Sequence, residues 1–123
     1  MDGRHIRLGR EGEDLARKLL KKQGYKILEQ NYRSKLGEID LIAKDRETLV
    51  FVEVKTRRSE EFGSPKWAVT PAKQRKISMV ALSYLKETGQ THQKARFDVV
   101  SIREICGKPS LEIIKNAFDL AYP

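Results

Sequence analysis

Two hydrophobic periods divide this chain. From Arg7 to Gln23, Leu8, Leu15, Ala16, Leu19 and Leu20 recur at the spacing of one helix face, and Gly24 supplies a left-handed stop. Tyr25 to Arg33 reads as a first strand. LGEIDLIAKD and TLVFVEVKT follow as two apolar, β-rich runs separated by a polar turn around Asp45, Arg46 and Glu47. RRSEEFGSPKWAV is looser, with Gly63 and Pro65 as breakers. Thr70 then caps a second helix with Pro71 at its first position, running to about Glu87. Its buried stripe is Ile77, Val80, Ala81, Tyr84 and Leu85. ARFDVVSIRE and LEIIKNA are the last strands, joined by a turn at Gly107, Lys108 and Pro109. Helix, three strands, helix, two strands predicts one α/β domain over residues 1–123, built around a mixed sheet.

One strand breaks its own pattern. In LVFVEVKTRR, residues 49–58, the apolar run ends in Glu53 and Lys55, one residue apart and so on one face. If residues 37–56 form a hairpin, cross-strand partners have numbers summing to about 93. That sets Asp40 opposite or diagonal to Glu53, roughly 4.5–8 Å away. Asp40 is flanked by Ile39, Leu41 and Ile42, and strands apolar on both faces are usually covered on both. Two carboxylates in such a place repel, and each costs several kcal/mol to desolvate. Two arrangements relieve that cost. Lys55 forms a cross-strand salt bridge with Asp40 or Glu53, or a hard divalent cation such as Mg²⁺ binds both acids, leaving water and phosphate to fill its octahedron. In the second case Lys55 neutralises a phosphate or holds the attacking water.

Charge adds a partner. Lys and Arg number 25 against 17 acids, for a net charge of +8 and a pI near 9.7. Such a surface suits polyanions, nucleic acid before anionic membrane, for which the chain lacks an amphipathic apolar face. Lys73, Arg75 and Lys76 crowd the start of the second helix, where they oppose its dipole. They face phosphates or are ordinary solvated charges. Arg57, Arg58 and Lys66 extend the same positive margin. No run reaches the roughly 18–20 apolar residues of a membrane span. The first residues lack the apolar stretch of a signal peptide, so a cytoplasmic location is expected. Cys106, the only cysteine, excludes an internal disulfide and reads as a buried thiol. His5 and His92 lack metal-ligand partners, and there is no P-loop. Asp98 reads as a pairing partner for Arg96 or a nearby lysine.

GEIDLIAKD, LVFVEVKTR, FGSP, AVTPAKQRKI and RFDVVSI, in this order, resemble the YraN-like family of small proteins. That family is classed with endonucleases related to archaeal Holliday junction resolvases, within the PD-(D/E)XK nuclease superfamily. The likeness runs from about Gly9 to Ile102. It implies a restriction-endonuclease-like α-β-β-β-α-β core and Mg²⁺- or Mn²⁺-dependent hydrolysis of phosphodiester bonds, in DNA ahead of RNA. Asp40 matches the first metal-binding acid, Glu53 the second, and Lys55 the catalytic lysine. Glu13, in REGEDLA, matches the acid that resolvase-like nucleases often place beside the metals; its other reading is a solvated helix glutamate. Gln74 matches a polar position on the helix after the lysine strand, counted here with the nucleic-acid-binding residues Lys73 and Lys76. Trp67 stands where these proteins often carry glutamate, so no role attaches to it. Resolvases act as dimers, so the resemblance allows a homodimer. The alternative expectation is a nucleic-acid-binding module on a nuclease fold, without turnover.

Overall fold

The computed structural model describes residues 3–57 and 69–120, with side chains from Glu11 onward. Arg58, Lys66 and Trp67 lie outside the described residues. The elements run α1 (Gly3–Lys22), β1 (Lys26–Ser34), β2 (Gly37–Asp45), β3 (Thr48–Arg57), α2 (Pro71–Glu87), β4 (Ala95–Ile105) and β5 (Lys108–Phe118). The strands form one five-stranded sheet in sequence order; only the β3–β4 pair is parallel. Among the described residues, no helix is long and apolar enough to cross a membrane.

Both helices begin or end as their sequences require. Gly24, with φ 96°, lets Tyr25 N–H reach Leu20 O at 2.9 Å and Gly24 N–H reach Lys21 O at 3.0 Å, closing α1. Thr70 Oγ1 caps α2 by accepting from Lys73 N–H at 3.2 Å, and Pro71 follows at a position whose N–H has no helical partner. The predicted stripe Ile77, Val80, Ala81, Tyr84 and Leu85 is buried.

The sheet is covered on both faces. Leu49 and Phe51 of β3 pack with α2, while Val50 and Val52 pack with Ala16 and Leu20 of α1. Helix α1 lies very close: a Cβ on Gly12 would stand 3.2 Å from both Ile102 Cδ1 and Thr56 Oγ1. The absence of a side chain there lowers the next residue, Glu13, toward the sheet.

Two expectations are corrected. Cys106 is exposed, because it opens a tight turn with Gly107 in which both have positive φ (51° and 77°), the pattern of a type I′ hairpin. Lys108 and Pro109 consequently belong to β5, with Pro109 opposite Glu104. Proline is tolerated there because β5 is an edge strand.

Asp98 is fully buried and pairs with Arg96 as expected. Arg96 Nε donates to its Oδ1 at 2.8 Å and Nη2 to its Oδ2 at 2.9 Å. Tyr25 Oη donates to Oδ2 at 2.8 Å and Asn116 N–H to Oδ1 at 2.9 Å. Burial and the Asp98 carboxylate both push the Tyr25 hydroxyl pKa up. Every strong acceptor direction of Asp98 is thus used, which makes it a structural anion. Asp98→Ala should cost about 3–5 kcal/mol, because it breaks a buried ion pair and leaves the Tyr25 hydroxyl and Asn116 N–H without their acceptor, although Arg96 keeps Asp45. Urea denaturation in EDTA measures this; a loss below about 1 kcal/mol would contradict the structural role.

Candidate active site

The hairpin register is the predicted one. Leu41↔Val52, Ile42↔Phe51, Ala43↔Val50, Lys44↔Leu49 and Asp45↔Thr48 all sum to 93. The ladder stops at Leu41↔Val52, one residue short of Asp40 and Glu53. At the same place β2 loses its alternation. Ile42 packs on the α2 side and Leu41 and Ala43 on the α1 side, yet Ile39 returns to the α2 side. Across from it on β1, Asn31 lies between the pairs Gln30↔Leu41 and Tyr32↔Ile39 and has φ 51°. A local break of this kind re-aims a side chain. Asp40 is the residue re-aimed: its Oδ2 accepts the Val54 backbone N–H at 2.8 Å.

Glu53 belongs to the buried residues, with 9 % exposure, on the face that β3 turns toward α2. Its pKa is pushed up to about 8, first by burial and then by the Asp40 carboxylate, against the opposing pull of Lys73 and Lys55. Protonated Glu53 and Asp40 hydrogen bond to each other. The acids are therefore neighbours, as the register required. Lys73 Nζ lies 3.7 Å from Glu53 Oε2. Lys55 is exposed and within electrostatic reach of Glu53. Among the described residues it forms no ion pair, so the counter-ion expected on β3 comes from α2 instead.

Glu13 is half-buried, not a solvated helix residue. Burial and then Asp40 raise its pKa, and a hydrogen bond from Asn31 partly offsets them. The Asn31 amide, turned so that its NH₂ meets acceptors, donates to Glu13 Oε1 and Glu38 Oε1, each at 3.1 Å. Asn31 thus gathers acids from α1 and β2 beside Asp40. Sequence reasoning passed over it; the only signal was an asparagine, tolerant of left-handed φ, inside a strand pattern.

The basic residues divide. Lys76 is exposed on the first turns of α2, and Lys73 is engaged with Glu53. Gln74 Nε2 donates to Val69 O at 3.0 Å, fixing the segment that enters the helix. Arg57, expected on the outer margin, is only 6 % exposed. It ends β3 with the same parity as Glu53 and Lys55, on the face opposite the one Thr56 turns to α1, and is covered there.

The carboxylates of Asp40 and Glu53 form a hard oxygen pair suited to one Mg²⁺ or Mn²⁺, with Glu13 nearby. Among the described residues no three or more His, Cys, Asp or Glu side chains are grouped so that they could hold a metal ion, so Glu13 does not join the two strand acids as a third ligand. Two carboxylates with the remaining positions left to water and phosphate is the usual Mg²⁺ arrangement.

A stability prediction follows for the cation-free protein. Folded Glu53 holds its proton to about pH 8, while an unfolded glutamate releases it near 4.5. Between those limits the folded state binds more protons, so this contribution to stability is full below about pH 4.5 and is lost as pH rises toward 8. Glu53→Gln should remove the slope, so its stability relative to the parent rises with pH across that window. Urea denaturation in EDTA at about pH 5 and about pH 8 tests this; parallel pH profiles would contradict it.

Asn31 gives a second test. Asn31→Gly keeps the left-handed backbone and removes the amide, and should bind Mn²⁺ differently from the parent while remaining folded. Mn²⁺ titration calorimetry beside thermal unfolding checks it; parental binding would show that the amide does not organise the acids.

Residues 12–102 match the model of the family described as "Uncharacterised protein family UPF0102". The chain is 56% identical over 112 residues to a UPF0102 protein of Desulfosudis oleivorans, covering 90% of this chain and 89% of that one. It is 49% identical over 118 residues to one from Syntrophus aciditrophicus (96% and 93% covered). A third, from Geobacter metallireducens, is 52% identical over 115 residues, with 94% of each chain covered. The matched span contains the Asn31 break, both strand acids and the α2 lysines, and the chain belongs to the UPF0102 family.

Proposed function

We propose that this protein is a metal-dependent nuclease of the PD-(D/E)XK type that hydrolyses phosphodiester bonds, in DNA ahead of RNA. The observation that carries the proposal is the meeting of Asp40 and Glu53 where the β2–β3 ladder ends, in a buried setting with Lys55 and Lys73 within electrostatic reach. The element order α1-β1-β2-β3-α2-β4 supports a restriction-endonuclease-like core.

Asp40 and Glu53 would hold Mg²⁺ or Mn²⁺. The chemistry such a cation supplies when bound is an acidified water and a neutralised phosphoryl oxygen. The chain's own residues prepare the place. The Val54 N–H fixes the Asp40 carboxylate. Lys73 balances Glu53 when no other cation is present. The exposed Lys55 ammonium is free to orient water or take a phosphate oxygen, and Glu13, steadied by Asn31, adds an acceptor at the margin. Lys76 contacts the phosphate backbone, a contact indifferent to base sequence.

The second reading is a nucleic-acid-binding module without turnover. The Lys73–Glu53 pair favours it, because an internal cation already offsets the acid charge.

Incubation with duplex, flap, junction and single-stranded substrates, with Mn²⁺ or EDTA, separates the two. The nuclease reading expects Mn²⁺-dependent cleavage that Asp40→Asn abolishes together with metal affinity. Lys55→Ala should keep metal affinity and lose roughly two to three decades in rate, about 3–4 kcal/mol at the transition state. Metal-independent behaviour of every substrate, with binding retained, would leave the module.

A further inference from the structure

The other end of the sheet is also built for an anion. The β2–β3 turn and the start of β4 border two adjoining clefts of about 660 and 380 Å³. Five cationic side chains line them against two acidic ones, Asp45 and Glu47. Asp45 is already committed, with Arg96 Nη2 at 2.8 Å and Lys115 Nζ at 3.5 Å from its Oδ2. Among the described residues, Lys44, Arg46 and Lys94 are in no ion pair.

Two local costs accompany this charge. Lys44 stands directly across the ladder from Lys26, and like charges in that position destabilise a sheet. Arg46 sits in the hairpin turn with φ 57°, a conformation that glycine adopts without strain and arginine does not. Neither choice helps the fold, and both add positive charge at the lip of the same clefts. A bound anion would offset the like charge that Lys44 and Arg46 bring to this lip.

We infer that this end of the sheet binds a nucleic-acid backbone, through Lys44, Arg46 and Lys94, separately from the carboxylate end. Thr48 and Glu53 are five residues apart on β3, roughly 17 Å in an extended strand. The clefts open at the turn end of β3 and the carboxylates lie toward its other end. At about 3.4 Å per base step that span is about five base pairs, so phosphates in the clefts extend the backbone contact beyond the one at Asp40 and Glu53. The proposed nuclease would thus hold its substrate's backbone at both ends of the sheet. The inference shares with the proposed function only the class of ligand, so binding measured in EDTA tests it whether or not the protein cuts.

The experiment is equilibrium binding of duplex DNA in EDTA across a salt series, for the parent, for Arg46→Gly and for Lys44→Ala/Arg46→Ala/Lys94→Ala. Loss of three phosphate contacts should flatten the slope of log affinity against log salt by up to about 2.7, and Arg46→Gly alone by up to about 0.9. Both variants should unfold at or above the parental temperature, because each removes a local cost. Lys73→Ala/Lys76→Ala, at the other end, should weaken binding additively with the triple change. A parental salt slope in the triple variant would overturn the inference. So would weakened binding to anionic vesicles with DNA binding unchanged, which would assign the clefts to a membrane surface. A fall in unfolding temperature for Arg46→Gly would show that arginine is there for the fold.

Discussion

Two carboxylates cannot share a dry place without a cation or a proton, and that constraint organises this molecule. Asp40 and Glu53 arrive on adjacent strands at the point where their ladder ends. Burial and mutual repulsion hold a proton on Glu53 far above the usual range for glutamate, and Lys73 supplies a further positive charge from α2. Each neighbouring feature answers the same difficulty. The Val54 N–H takes one Asp40 oxygen, and the Asn31 amide bridges Glu13 and Glu38. Without a bound cation, a proton on Glu53 and the Lys73 ammonium offset the two carboxylates.

The fold supplies the rigidity that such an arrangement needs. β3 is central, flanked by β2 and β4, with α1 on one face and α2 on the other. Glu53 therefore projects from the stiffest element available, while α1 and α2 each deliver one side chain to it or its neighbours. Gly12 allows the close approach of α1, and the Thr70 cap with Pro71 sets where α2 begins and hence where Lys73 stands. The buried anion in the opposite half, Asp98, is satisfied by Arg96, Tyr25 and Asn116. The contrast is informative: one buried carboxylate is saturated with donors, and the other pair is left short of them.

Much of this was legible in the residues. The apolar periods gave both helices and every strand, and counting across the hairpin gave the register, hence the Asp40–Glu53 meeting. The buried stripe of α2 and the Asp98–Arg96 pair were also readable, because each depends on spacing alone. What escaped depends on three-dimensional breaks in that regularity. The flip of β2 between Ile39 and Leu41, and the left-handed Asn31 beside it, have no periodic signature. That the Lys73 ammonium also reaches Glu53 was not readable, because helix periodicity does not show which strand residue a side chain meets. Arg57 and Cys106 were misplaced for related reasons. A charged residue at a strand end was taken for surface, and a thiol was taken for core although it opens a turn.

The central claim is that the Asp40–Glu53 pair is a divalent-cation site. Paramagnetic broadening of backbone amide resonances by substoichiometric Mn²⁺ tests it most directly, since it needs neither substrate nor turnover. The account predicts early, selective loss of the Val54 amide signal and of those around Asp40, Glu53 and Lys55. Asp40→Asn should retain the fold and abolish that selectivity. Uniform broadening, or selective broadening centred elsewhere, would contradict it.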